Sequence, residues 1–162
     1  MEKKQVKRFA YEGLGFPIIL VDVTLVKVRD IWTPAVDYNK LQKTVLLALS
    51  HKPFPLSGHE VHFIRAYFEM TLEAFGKNFG MTHVAVLNWE KAKSKTAKIN
   101  PAVELLLRLF ILEKLNMNNQ VFRDTFREFD IQRIAREQKS LFEKSRPLLL
   151  HMQGIGKRAS LR

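Results

Sequence analysis

The chain has 162 residues, an ordinary hydrophobic content of 46% and no cysteine. That length allows one domain with a good core, or one small domain with extensions, and the composition excludes disulfides and Cys-based zinc sites. A formal net charge of +11 and a pI near 10.0 point to a polyanionic partner, with nucleic acid ahead of an anionic membrane surface.

Residues 1–15 are basic and polar, end in Gly13-Leu14-Gly15, and read as an irregular lead-in. Pro17 to Trp32 is the one stretch with strand character, rich in β-branched residues. A bend at Asp22 to Thr24 would split it into two short strands, and a lone hairpin of that kind must pack on helices or pair with another chain. Asp37 to Ser50 reads as a helix with Leu41, Val45, Leu46 and Leu49 on one face and Asp37 as its cap. Lys52-Pro53-Phe54-Pro55 stops it and forms a short, stiff joint.

The stretch from Leu56 to Glu90 carries the strongest local signals. Ser57 with Glu60 three residues on is a capping box opening a helix to Tyr67. Thr71 caps a second helix running to Phe79, Gly80 suits the left-handed turn that ends it, and Thr82 caps a third from His83 to Ala92. Val61, Ile64, Phe68, Leu72, Phe75, Phe79, Val86 and Trp89 would share one core, and Gly76 is small where two segments cross closely. This is the helix-turn-helix pattern.

Lys91, Lys93, Lys95 and Lys98 follow, with small residues between them; such a run is ordinarily a solvated loop. Asn100 and Pro101 open a strongly apolar helix to about Leu115 whose excess of Leu, Ile and Phe implies a second buried face, which a dimer contact would supply. Gln120 to Lys144 reads as a further helix, broken near Asp130, with Phe122, Phe126 and Phe129 on one face. Arg146 to Arg162 reads as a basic mobile tail. No run approaches the roughly 18 apolar residues of a spanning helix, and Met1-Glu2-Lys3-Lys4 does not open a signal peptide, so a cytoplasmic location is expected.

Thr71 through Thr82, followed by Val86, Asn88, Trp89 and Glu90, resembles the lambda-repressor-like (XRE-type) helix-turn-helix of bacterial regulators. Within that class it looks most like the DNA-binding domain of MqsA-type antitoxins. Leu56 to Arg65 is similar to the lead-in of those proteins and Asn100 to Leu109 to the helix that follows, so the match covers roughly residues 53–115. Those antitoxins carry a Cys-rich zinc-binding N-terminal domain, which a cysteine-free chain does not have. The expected fold is mainly α: a lambda-repressor-like helix-turn-helix bundle with a small N-terminal β-strand or hairpin element and a C-terminal helical extension. The expected boundaries are residues 1–52, 53–115, 116–145 and a tail at 146–162.

The resemblance implies that the third helix enters the major groove of double-stranded DNA. Carried over by position, His83, Val84 and Asn88 become the base-contact candidates. Asn88 suits a bidentate contact to adenine, His83 a guanine edge and Val84 a thymine methyl. Each is otherwise an exposed helix residue, and Val84 could equally join the core. Thr71 and Thr82 start helices whose free N–H groups attract phosphate; Lys91, Lys93 and Lys95 are candidates for sequence-independent phosphate contacts. The Gln that many relatives place after the first cap is Leu72 here. Trp89 is placed in the core by its spacing from Val86, and Glu90 is expected to cap or pair locally. His59 and His62, i and i+3 on one helix without a carboxylate or thiolate close by, are a weak metal signal. No catalytic constellation, cofactor motif or metal site is evident, so no enzyme activity is expected. The functional expectation is a DNA-binding repressor, acting as a homodimer on an inverted-repeat operator and serving as antitoxin and autoregulator beside a toxin protein. A stand-alone regulator and a protein-interaction module are the alternatives.

Overall fold

Ile18 to Val28 forms a single strand of 11 residues, β2, and the sheet is built around it. The computed structural model describes residues 1–139 and 146–152. Ile18, Leu20, Val23 and Leu25 of β2 are buried. The alternation slips by one residue between Leu20 and Val23, where Asp22 takes φ 53°. The bend expected at Asp22 is therefore an irregularity inside one strand, where Asp22 drops out of the pairing with the neighbouring strand while the register on either side is unchanged, and not a break between two.

The expectation of an irregular lead-in is wrong. Lys3–Tyr11 is a strand of 9 residues, β1, antiparallel to β2 from Lys3 opposite Val26 to Tyr11 opposite Ile18. Only Val6, Phe9 and Tyr11 are half-buried in it; its ladder is made by backbone groups, which basic side chains do not prevent. Arg29 and Asp30, at φ 47° and 64°, turn the chain into β3 (Ile31–Pro34) by the two-residue connection with both φ positive that matches strand twist. The C-terminal stretch read as a tail contains β4 (Leu148–His151), parallel to Ile18–Val21 of β2. The sheet is thus mixed, in the order β1-β2-β3, with β4 also on β2. Its Ile18, Leu20, Leu148 and Leu150 side is buried, while Leu149 on the other side is 49% exposed.

Seven helices accompany this sheet among the described residues: α1 (Tyr38–Ser50), α2 (Gly58–Tyr67), α3 (Leu72–Lys77), α4 (His83–Lys91), α5 (Pro101–Lys114), α6 (Asn119–Glu128) and α7 (Ile131–Gln138). The fold is α/β, which corrects the expected mainly α bundle. The error came from β1, too basic to read as a strand, and from β4, whose partner lies about 130 residues away in sequence, where periodicity carries no information.

The chain forms two compact units, Met1–Ala48 with the chain from Pro147, and Leu49–Arg146. In the first, Asp37 Oδ1 accepts from Asn39 and Lys40 N–H and caps α1 as expected. In the second, α2 and α3 pack on α4, and α6 and α7 pack on α5. Leu105, Leu107, Phe110, Ile111 and Leu112 of α5 are buried within the chain, and Leu106 is exposed. The second apolar face of α5 is therefore covered in large part by the chain's own helices. α6 departs from expectation: Phe126 is 62% exposed and Thr125 is the buried residue, with Oγ1 2.9 Å from His51 Nε2. The chain breaks at Phe129-Asp130, and Asp130 Oδ1 caps α7 by accepting Arg133 N–H. Residues 140–145, read as the end of that helix, lie outside the described residues.

Candidate nucleic-acid interface

The local chemistry that starts each helix of the motif is present. Ser57 Oγ accepts Glu60 N–H at 3.1 Å, and the Glu60 carboxylate accepts Ser57 N–H at 3.2 Å. Thr71 Oγ1 accepts Ala74 N–H and Thr82 Oγ1 accepts Ala85 N–H. A Cβ on Gly76 would lie 2.6 Å from the Met81 carbonyl oxygen. Only glycine lets α3 come this close to the turn that launches α4. Gly80 in that turn takes φ 65°.

The core behind the motif is aromatic. Phe75, Phe79 and Phe110 stack edge-to-face with ring centroids 5.1 to 6.0 Å apart, and Phe68 meets Phe110 at 5.5 Å. This is the arrangement aromatic quadrupoles favour, and it ties α3 and the end of α2 to α5. Val86 and Trp89 seat α4 on the same core.

Two devices that local sequence patterns did not indicate hold the far end of α4. The Arg65 guanidinium meets the Glu90 carboxylate with Nε and Nη2 at 2.5 and 3.0 Å, and His62 Nδ1 lies 3.1 Å from the same carboxylate. Partial burial pushes the Glu90 pKa up, but the hydrogen bonds from Arg65 and His62 outweigh it and leave the carboxyl below its ordinary value. The Glu90 hydrogen bond in turn raises the Arg65 pKa. Glu90 therefore does not cap or pair locally as expected, but pairs across to α2.

The second device is backbone. Gly58 and His59 N–H donate to the carbonyls of Lys95 and Lys93, and Ala97 N–H donates to Leu56 O at 2.9 Å. A Cβ on Gly58 would lie 2.5 Å from Lys93 N, so the chain after α4 lies directly on the start of α2. The lysine run is a strap fixed by its own backbone, with the side chains of Lys91, Lys93 and Lys95 all exposed.

His83 and Asn88 are exposed, and Val84 is 50% exposed, so Val84 faces solvent and not the core. Val84, Asn88 and Lys91 fall at i, i+4 and i+7 and share one face of α4. Thr71 and Thr82 are exposed at the starts of α3 and α4, with their hydroxyls committed to capping. Leu72 is half-buried. Trp89, at 6% exposure, is core as expected.

A buried polar joint supports the motif from below. Lys52 Nζ holds Glu60 at 2.5 and 2.9 Å. Arg108 donates to the carbonyls of Lys52 and Phe54 and to Glu104, whose other oxygen accepts Leu56 N–H. Burial drives the Glu104 pKa up and the Arg108 pKa down, against the attraction of each for the other. The sequence signal for this pair was Glu104 and Arg108 four apart inside an apolar run, where a lone charge would be costly. A cavity of about 150 Å³ adjoins the joint, lined by His51, Lys52, Arg108, Thr125, Phe129 and Arg133 among others. The charges of Lys52 and Arg108 there are matched by Glu60 and Glu104. No group of three or more His, Cys, Asp or Glu able to hold a metal occurs among the described residues, and no described helix is long and apolar enough to cross a membrane.

No protein-family model, no curated protein and no solved structure matches the chain.

Proposed function

We propose that the protein binds double-stranded DNA through α4 and represses transcription as a homodimer on an inverted-repeat operator. The observation that carries the reading is the pairing of three exposed α4 side chains, His83 at its start and Val84 and Asn88 on one face, with a lysine strap whose backbone is fixed on α2. One element offers side chains suited to base edges; the next offers positive charge suited to phosphates. Held backbones matter because a contact made by a pre-positioned side chain loses less entropy on binding. Occlusion of a promoter would be the mechanism. Two copies would set their α4 helices about 34 Å apart, one turn of DNA. The further step, an antitoxin that controls its own operon beside a toxin, rests on the sequence resemblance to MqsA-type antitoxins alone.

Fluorescence anisotropy with duplex from upstream of the protein's own gene, against a scrambled duplex, tests the reading. Asn88→Ala should weaken binding to the first by about 1–3 kcal/mol and leave the second unchanged. Equal binding of both duplexes by wild type and variant alike would remove α4 as a recognition helix.

A further inference from the structure

We propose that β1 is a second DNA contact, one that follows phosphates without reading sequence. This rests on the reading that the polyanion is duplex DNA, but it uses a different part of the chain.

The positive charge of the described protein is segregated. Residues 3–11 hold four basic residues and no acidic one, whereas the rest of residues 1–48 holds four basic and five acidic. In the other unit, residues 77–98 hold five basic residues and one acidic, against ten and nine among the other described residues between 49 and 146. The second concentration is the α4 region and its strap. The first is the edge of the sheet.

Lys3, Lys4, Lys7 and Arg8 are all exposed. Among the described residues none of them has a carboxylate within salt-bridge distance; Lys27, farther along the sheet, takes both Glu2 and Asp30. Their strand pairs with β2 from Lys3 to Tyr11 with one interruption, where Lys7 and Asp22 drop out of the ladder, and it has no other strand partner among the described residues, so the ladder holds Lys3, Lys4 and Arg8 on a free edge with Lys7 at its interruption. Lys3 and Arg8 stand opposite Val26 and Val21, on the open side of the sheet. Lys4 turns to the other side, its Nζ 4.1 Å from the Trp32 ring. At about 3.3 Å per residue the row from Lys3 to Arg8 spans roughly 16 Å. The charges line an edge and do not converge on a point. That suits an extended polyanion better than a small ion, and uncompensated cations are what release counterions when they meet phosphate.

Lysines on an edge strand also prevent unwanted strand pairing, and the test must separate the two roles. The full chain, Asn88→Ala, and the combined variant Lys3→Gln/Lys4→Gln/Lys7→Gln/Arg8→Gln are titrated with the upstream and scrambled duplexes over a range of salt. Each phosphate contact contributes about 0.9 to the slope of log affinity against log salt. The combined variant should flatten that slope by about 3.6 on both duplexes, with the preference between them unchanged. The all-arginine variant Lys3→Arg/Lys4→Arg/Lys7→Arg should keep the wild-type slope. An unchanged slope, with or without self-association of the glutamine variant, overturns the proposal; so does an arginine variant as weak as the glutamine one, which would mark a damaged fold. If neither duplex is preferred yet the slope still flattens, the α4 reading fails and the β1 contact stands. If preference persists and the slope does not move, the reverse holds.

Discussion

Arg65 and Glu90 form a two-pronged ion pair that joins the last turn of α2 to the last turn of α4, with Nε and Nη2 at 2.5 and 3.0 Å from the two carboxylate oxygens. A carboxylate at a helix C-terminus opposes the helix dipole, so Glu90 is tolerable there because Arg65 meets it. The pair fixes the angle at which α4 leaves the core, and with it the direction in which His83 and Asn88 point.

That pair gives a pH-dependent stability with a definite sign. The Glu90 pKa is lowered in the folded state, so its contribution is present above the unfolded value of about 4.5 and is lost as pH falls through the lower folded value. Glu90→Gln should cost about 1–2 kcal/mol at pH 7, as hydrogen bonds to charged groups do, and nothing in the acid limit. Urea unfolding of both proteins at pH 7 and below pH 4 measures it. A cost that persists undiminished at acid pH would show that packing, and not the ion pair, holds α4.

Gly76→Ala should be among the most damaging single-methyl additions in the chain. Its Cβ would lie 2.6 Å from the Met81 carbonyl oxygen, a backbone atom that moves only if the turn opens. A loss of about 1–3 kcal/mol is expected, the range for overpacking. Gly80→Ala, with φ 65° but nothing within 4 Å, should cost about 1–2 kcal/mol, the conformational penalty alone. Thermal midpoints of the two variants, read against wild type, test the ranking.

The buried joint should behave as a unit. Arg108 is 1% exposed and Glu104 fully buried. Removing either partner leaves a charge in the interior, at a cost of about 3–5 kcal/mol. Glu104→Leu and Arg108→Met together should cost less than the sum of the two by more than about 1 kcal/mol, since neighbours in one network do not add. The double variant stays less stable than wild type, because the Lys52 and Phe54 carbonyls and the Leu56 N–H lose their partners. A double-mutant cycle in urea reads both numbers.

Neutralising the strap should act on affinity and not on choice. Lys91→Gln, Lys93→Gln and Lys95→Gln should each reduce the salt slope of DNA binding by about one unit and leave discrimination between duplexes intact. Their backbone role is carried by carbonyls, so the fold should survive all three. Salt titrations by anisotropy, with circular dichroism as the fold control, decide this.

Helix starts were legible because the atoms that cap a helix lie within three residues of each other: Ser57 with Glu60, Thr71 with Ala74, Thr82 with Ala85, Asn100 with Ala102. The base-contact candidates came from the resemblance, carried over by position; the sequence left Val84 open between surface and core, and its 50% exposure places it on the surface. What was not legible depends on residues far apart. β1 and β4 exist because β2 lies between them, and Lys3 to Arg8 carry no alternation that announces a strand. The Arg65 clamp and the Glu104–Arg108 joint were visible only as charges in unexpected places. Nothing near Gly58 in sequence shows why it is glycine; its missing Cβ makes room for the Lys93 backbone.

Mapping amide and side-chain NMR shifts during titration with upstream duplex decides whether α4 reads DNA. His83, Val84 and Asn88 should shift most, Lys91, Lys93 and Lys95 should also respond, and a scrambled duplex should move the lysines but spare Asn88. Shifts that leave the exposed face of α4 untouched while the protein is bound would contradict a reading role for α4.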